Sequence, residues 1–100
     1  MSLAVGRLLL VGCGKMGRAL AQGWLDTGLD PENLAAVEPH VGTAQLARDM
    51  GINTVSDPTE LADDFMPDWV VLAVKPQVLA EVAPKFAGYA EISTYLSVVA

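Results

Sequence analysis

The sequence predicts an α/β fold in which helices cover both faces of a parallel, doubly wound sheet. Three observations lead to this prediction: short apolar runs without polar alternation, helical spacing between those runs, and Gly, Pro or Asp at the junctions. Strands that are apolar on both faces are typical of parallel sheets covered by helices. Because the strands and helices alternate with short connections, the expected strand order is 3-2-1-4-5.

Composition limits the class of protein. The chain has 100 residues, 52% of them hydrophobic and 18% charged, which is typical of one small globular domain. A net charge of −6 argues against nucleic acid or a membrane surface as a partner. The single cysteine, Cys13, excludes an internal disulfide and a multi-thiolate metal site. With no signal-peptide pattern at the N-terminus, a cytoplasmic location is expected.

The first half of the chain predicts a strand, a helix, a strand and a second helix. Residues 7–11 and 34–37 are the apolar runs expected to form the first two strands. From Met16 onward, apolar and small residues recur at spacings of three and four, and Gly28 is placed to cap the end of that helix. The second helix is expected over about residues 41–50.

The second half continues the alternation. Residues 52–55 predict a third strand, and Asp57, followed by a proline and then a glutamate, predicts the start of a short helix. Residues 69–74 form the most strand-like run in the chain. A helix kinked by a proline is expected over 78–87 and a fifth strand over 94–99.

The glycine-rich segment between the first strand and the first helix indicates nucleotide binding. In this G-x-G-x-x-G motif, Gly12 allows a tight turn, Gly14 allows close approach of a pyrophosphate, and Gly17 lets the helix pack near the strand. A tight turn in a protein that binds no nucleotide is the structural alternative. The strand before the motif and the helix after it favour a Rossmann-like dinucleotide site. The residues predicted to form it are Gly12, Cys13, Gly14, Lys15, Met16 and Gly17.

Two basic side chains and the single cysteine lie in or directly after this motif. Lys15 and Arg18 lie in the first helical turn, where cations oppose the helix dipole, so their position suits an anionic ligand. Simple solvation of either side chain is the alternative. Cys13 is interpreted as a small loop residue, with a thiol that nearby helix N–H groups could make more acidic and oxidisable.

An acidic residue follows the second strand. Glu38 lies about twenty residues beyond the last glycine, where an acid can accept hydrogen bonds from the adenosine ribose hydroxyls. This position favours NAD over NADP, because a 2′-phosphate would meet a like charge and residues 38–43 contain no arginine. His40 and Thr43 could still hold a phosphate, and an exposed strand-end carboxylate is the structural alternative for Glu38.

Two motifs together resemble the pyrroline-5-carboxylate reductase family. The first is the segment 10–17, Leu-Val-Gly-Cys-Gly-Lys-Met-Gly, and the second is 71–77, Val-Leu-Ala-Val-Lys-Pro-Gln. Their pairing at this distance is more specific than the glycine motif alone, and the resemblance covers essentially the whole chain. It implies an enzyme that transfers hydride from NAD(P)H to the C=N bond of 1-pyrroline-5-carboxylate, giving L-proline.

The resemblance also implies site residues. The glycine motif would hold the pyrophosphate. The nicotinamide-ribose side would be lined by Ala73, Val74, Lys75 and Pro76. The adenosine ribose would be faced by Glu38, Pro39 and His40, with Asp57 near the position where relatives often place an asparagine that touches the cofactor. Many family members carry an arginine or small polar residues after the second strand, so the cofactor expected here is NAD(P)H with NAD favoured.

Length sets the expected domain organisation. Family members continue into a helical C-terminal domain that builds the dimer and supplies most of the substrate pocket. Residues 1–100 are therefore expected to be the N-terminal NAD(P)-binding domain, a fragment that is inactive alone and contains no catalytic residue. The full-length enzyme would be a homo-oligomer acting on a small molecule. A stand-alone Rossmann-type nucleotide-binding module and a related imine or β-hydroxyacid reductase are the alternatives.

Overall fold

The computed structural model describes residues 6–62, 64–75, 84–85 and 94–97. All the strands in these ranges pair in parallel in one sheet, with the order β3-β2-β1-β4-β5, which confirms the predicted order. Short 3₁₀ turns precede β2 and follow β3. The elements are β1 (Leu8–Val11), α1 (Lys15–Asp26), β2 (Leu34–Val37), α2 (Val41–Asp49), β3 (Asn53–Val55), β4 (Trp69–Leu72) and β5 (Thr94–Ser97).

The observed elements differ from the expected ones mainly at their ends. The helix expected from Asp57 is one 3₁₀ turn, Pro58–Glu60, because Leu61 returns to extended backbone with φ −70° and ψ 147°. β4 ends at Leu72, two residues before the expected end. The helix expected over 78–87 lies outside the described residues except at 84–85, and so do the last residues of the expected fifth strand.

The core lies on both faces of the sheet, and β1 runs through its middle. Every residue of β1 and β2 is buried, as expected for strands covered on both sides. Leu8 and Leu10 face a cluster that includes Ala21 of α1 and Ala47 of α2, so both helices cover one face. Alternate residues of the strands face the opposite cluster, which includes Leu61.

Helix α1 is closed at its C-terminal end by Gly28, the glycine that the sequence predicts as its cap. Gly28 has φ +105°, a left-handed conformation that favours glycine. Its N–H donates to the carbonyl of Leu25 at 3.1 Å, and the N–H of Leu29 donates to the carbonyl of Trp24 at 3.0 Å. These two hydrogen bonds are the pair that defines a Schellman cap. This cap turns the chain back toward β2. No helix in the described part of the chain is long and apolar enough to cross a membrane.

Candidate functional site

Backbone hydrogen bonds hold the residues that follow the strands together at one edge of the sheet. The N–H of Gly12, just after β1, donates to the carbonyl of Val37 at 3.0 Å, and the N–H of Glu38, just after β2, donates to Val55 at 2.8 Å. After β4, the N–H of Ala73 donates to the carbonyl of Val11 at 2.8 Å. The carboxyl ends of β1, β2 and β4 therefore meet where open α/β sheets bind their ligands.

The three motif glycines serve three different geometric needs. Gly12 has φ +97°, and a Cβ there would lie 2.6 Å from the carbonyl oxygen of Ala73, so the tight turn requires glycine. A Cβ on Gly17 would clash with the carbonyl oxygen of Gly12, which shows how closely α1 packs on the loop. A Cβ on Gly14 would meet nothing within 4 Å. The loop is thus closed at Gly12 and Gly17 and open at Gly14.

Helix α1 begins without a side-chain cap. Gly14 is its N-cap residue and accepts a bond from the N–H of Arg18 at 2.9 Å, and no acidic side chain lies in the first turn. The half-buried Arg18 side chain also reaches back toward the Gly14 carbonyl, at 3.4 Å, whereas Lys15 is exposed. The first turn therefore presents backbone N–H groups and two cations, an arrangement that favours an anion.

Cys13 is a small, buried residue of the glycine loop, and its thiol is less acidic than that of a free cysteine. The residue is fully buried, and burial followed by the nearby Glu38 carboxylate raises the pKa of its thiol to about 12, although Arg18 acts in the opposite direction. The loss of hydration thus outweighs the positive charge of Arg18. Among the residues that the structure describes, no group of three or more His, Cys, Asp or Glu side chains could hold a metal ion.

The Glu38 carboxylate connects the glycine loop to the segment after β2. Its Oε1 accepts from the backbone N–H of Cys13 at 2.8 Å, and its Oε2 accepts from the backbone N–H of His40 at 3.0 Å. Each oxygen can accept more than one hydrogen bond, so these two contacts orient the carboxylate and leave it able to accept further hydrogen bonds. A strand-end acid held in this way is positioned as a hydrogen-bond acceptor beside the loop. The sequence pattern predicts an acceptor at this position but not the two backbone N–H groups that orient it.

His40 caps the second helix. Its Nδ1 accepts from the backbone N–H of Thr43 at 3.2 Å and lies 2.9 Å from the Thr43 hydroxyl. This capping role places the imidazole at the N-terminus of α2, next to Pro39 and close in sequence to Glu38. His40 and Pro39 are both exposed at the sheet edge.

A pocket of about 140 Å³ lies at this edge. It combines an apolar wall from the strand ends with polar groups from the loops after β2 and β3. The predicted residues Gly12, Glu38, Pro39, Asp57 and Val74 all line it. Its other lining residues, not singled out from the sequence, are Val11, Val37, Ser56, Pro58 and Lys85.

Asp57 lies on one side of the pocket and is held in place by two kinds of contact. Its Oδ2 accepts from the backbone N–H of Thr59 at 3.1 Å and from the Thr59 hydroxyl at 2.7 Å. Its Oδ1 lies 3.6 Å from Nζ of Lys85. These hydrogen bonds to Thr59, aided by Lys85, lower the pKa of the Asp57 carboxyl, so the group is ionised at neutral pH.

The segment after β4 lies next to the glycine loop. Ala73 and Val74 are half-buried, and the Val74 side chain is near enough that a Cβ on Gly12 would lie 2.8 Å from its Cγ1. Lys75 is exposed, and Pro76 lies outside the described residues. Met16, the remaining predicted residue, is half-buried in the first turn of α1. The structure thus brings the two halves of the predicted site together across β1 and β4.

This edge fits a dinucleotide. The open space at Gly14 lies beside the uncapped N–H groups of α1, as an approaching pyrophosphate requires. The apolar wall that Val37 gives the pocket suits the flat face of a base, and the oriented Glu38 carboxylate beside it suits ribose hydroxyls.

Known proteins share both the sequence motifs and the fold of this chain. A family described as NADP oxidoreductase, coenzyme F420-dependent, matches residues 7–100. Pyrroline-5-carboxylate reductase of Vibrio alginolyticus is 36% identical over 77 residues, and that of Corynebacterium melassecola is 30% identical over 93 residues. These matches cover 76% and 92% of this chain. They confirm the resemblance identified from the two sequence motifs.

Solved structures show the same fold. Prephenate dehydrogenase from A. aeolicus, in complex with hydroxyphenyl propionate and NAD+, aligns over 97% of this chain with a TM-score of 0.81 and 25% identity. A pyrroline-5-carboxylate reductase from Coxiella burnetii aligns over 93% with a TM-score of 0.77 and 24% identity. The chain spans 28% and 34% of the two sequence relatives and 34% and 36% of the two solved chains, about a third of their lengths.

Proposed function

This chain belongs to the family described as NADP oxidoreductase, coenzyme F420-dependent, and we propose that it is the NAD(P)H-binding domain of a pyrroline-5-carboxylate reductase. Cofactor binding is supported most directly by the loop that is closed at Gly12 and Gly17 but open at Gly14, beside an uncapped helix, and the choice of reductase is supported by the two sequence relatives. The nicotinamide dinucleotide, when bound, supplies the hydride that reduces the C=N bond of 1-pyrroline-5-carboxylate to L-proline. Residues of this chain bind and orient that cofactor.

The glycine loop would hold the pyrophosphate through its backbone. Gly14 leaves room for the phosphates to approach, and the N–H groups of the first turn of α1 point toward them. Lys15 and Arg18 add positive charge at the same helix end. Cys13 fills the interior below the loop, and its N–H keeps Glu38 in position.

The two sides of the loop would hold the two ends of the cofactor. Ala73 and Val74, with Lys75 and Pro76 after them, are proposed to line the nicotinamide-ribose side. Glu38, Pro39, His40 and Asp57 are proposed to face the adenosine ribose. NADH is favoured over NADPH, because the Glu38 carboxylate accepts hydrogen bonds from ribose hydroxyls and repels a 2′-phosphate.

The proposed organisation places substrate chemistry outside these residues. Because the chain spans about a third of its relatives, we propose that residues 1–100 are the N-terminal dinucleotide-binding part of a longer, homo-oligomeric enzyme. The substrate is then bound largely by residues beyond this part. The chain alone is expected to form no proline from 1-pyrroline-5-carboxylate and NAD(P)H, and turnover at a rate comparable with a full-length reductase would contradict this.

Replacing Gly14 with alanine tests the site without disturbing the fold. Gly14 has φ −65° and ψ −169°, which alanine adopts readily, and a Cβ there has no neighbour within 4 Å. We expect unchanged thermal unfolding but at least about a tenfold rise in the Kd for NADH, equivalent to roughly 1.4 kcal/mol, because the methyl group occupies the pyrophosphate approach. Binding would be followed by calorimetry.

Gly23→Ala is the matched control, since Gly23 lies on the exposed side of the same helix and its Cβ would also meet nothing within 4 Å. This variant should bind NADH as the wild-type chain does. Equal affinity of Gly14→Ala and Gly23→Ala for NADH would show that the open space at Gly14 is not used by the cofactor, and would count against the proposed site.

A further inference from the structure

The pocket contains an ion pair that the glycine motif does not explain. Among the described residues that line it, Glu38 and Asp57 are acidic and Lys85 is the one base. Lys85 comes from the connection between β4 and β5, whereas Asp57 follows β3, so the pair joins segments that are distant in sequence. With both acids ionised, the charges of these three side chains sum to one negative charge.

The contacts of Asp57 leave Lys85 able to bind a second anion. One oxygen of Asp57 is occupied by Thr59, and the other lies 3.6 Å from Nζ of Lys85. The Lys85 side chain is 60% exposed and that of Asp57 39% exposed, so the ammonium keeps contact with solvent. A lysine ammonium carries three donors on a flexible stem and can reorient toward an anion that enters the pocket.

We propose that Lys85 is a specificity residue for the adenosine end of the cofactor: it attracts a 2′-phosphate and thereby limits the discrimination against NADPH that Glu38 imposes. This inference rests on the proposed function. Lys85 is suited to the role by position, because Lys15 and Lys75 do not line this pocket. Asp57 competes with the phosphate for the same ammonium, so the two residues act on NADPH in opposite directions.

A purely structural role for the Lys85–Asp57 ion pair predicts a different result. If Lys85 only tethers Asp57, breaking the pair from either side has the same effect on nucleotide binding. If Lys85 attracts the 2′-phosphate, removing Lys85 weakens binding of a 2′-phosphorylated nucleotide, and removing the charge of Asp57 strengthens it. Asp57→Asn keeps an amide oxygen that can accept from Thr59, so the 3₁₀ turn retains its cap.

The test compares two adenosine nucleotides that differ in the 2′-phosphate. The Kd values of 5′-AMP and 2′,5′-ADP would be measured by calorimetry at low salt for the wild-type chain, Lys85→Gln and Asp57→Asn. Lys85→Gln should raise the Kd of 2′,5′-ADP by about threefold to fivefold relative to that of 5′-AMP, the range of a solvent-exposed ion pair. Asp57→Asn should lower the same ratio, and high salt should reduce both effects.

Two variants match these changes in charge away from the pocket: Arg7→Gln, at the other end of β1, for the base and Asp49→Asn, on α2, for the acid. Neither should change the ratio. A shift of the ratio in the same direction for Lys85→Gln and Asp57→Asn, or no shift for either, would overturn the role of Lys85 while leaving the proposed function intact. If the wild-type chain bound neither nucleotide nor NADH, both proposals would fail together.

Discussion

Replacing Gly17 with alanine should abolish dinucleotide binding and lower the free energy of unfolding by about 1–3 kcal/mol, the range for overpacking a tight contact. The new methyl group would clash with the carbonyl oxygen of Gly12 and approach Leu10, so α1 must move away from β1. Because Gly12 begins the loop, that movement displaces the whole pyrophosphate site. Chemical denaturation and NADH titration of the same variant would measure the two effects.

The matched control for this change is again Gly23→Ala in the same helix. Alanine is favoured over glycine in a helix interior by about 0.5–1 kcal/mol, so this variant should be slightly more stable than the wild-type chain. The two variants should therefore change the free energy of unfolding in opposite directions, which separates the effect of the steric clash from that of helix propensity. If Gly17→Ala gained stability as Gly23→Ala does, the close packing of α1 on the glycine loop would be wrong.

Replacing Glu38 with glutamine should shift cofactor preference toward NADPH by about tenfold or more, since hydrogen bonds to a charged group contribute roughly 1.5–3 kcal/mol. The amide is a weaker acceptor for ribose hydroxyls, which lowers affinity for NADH, and it no longer repels a 2′-phosphate. It also cannot accept from both Cys13 and His40 through two carboxylate oxygens. Parallel titrations with NADH and NADPH measure the ratio of the two Kd values.

Glu32→Gln provides the control with the same change of charge, because Glu32 is exposed in the turn before β2. It should leave the ratio unchanged. An unaltered ratio in Glu38→Gln would mean that the carboxylate has only a structural role between the loop and α2, and the preference for NADH would lose its physical basis.

The sequence predicts the parts of this molecule that depend on local pattern. Apolar runs and helical spacing predict the strands and their order, and the positive φ of Gly28 follows from its place at a helix end. The motif glycines and Glu38 are also predictable, because a strand, a turn and a helix in succession bring them to one edge of the sheet. The structure places each of these residues where the pattern expects it.

Other features depend on contacts between segments that are distant in sequence. The pairing of Lys85 with Asp57 has no local pattern, since the two residues follow different strands and are distant in sequence. The bond from Cys13 to Glu38 spans 25 residues and is likewise invisible in spacing. The raised pKa of the Cys13 thiol also depends on such contacts, because burial and the Glu38 carboxylate both disfavour the thiolate.

Titration of the wild-type chain with NADH and with NADPH tests the central claim most directly. We predict that both dinucleotides bind at one site per chain, that NADH binds more tightly, and that Gly14→Ala weakens both. Calorimetry would report the stoichiometry and both Kd values in one experiment. Absence of saturable binding for either dinucleotide would contradict the account of the glycine loop as a cofactor site.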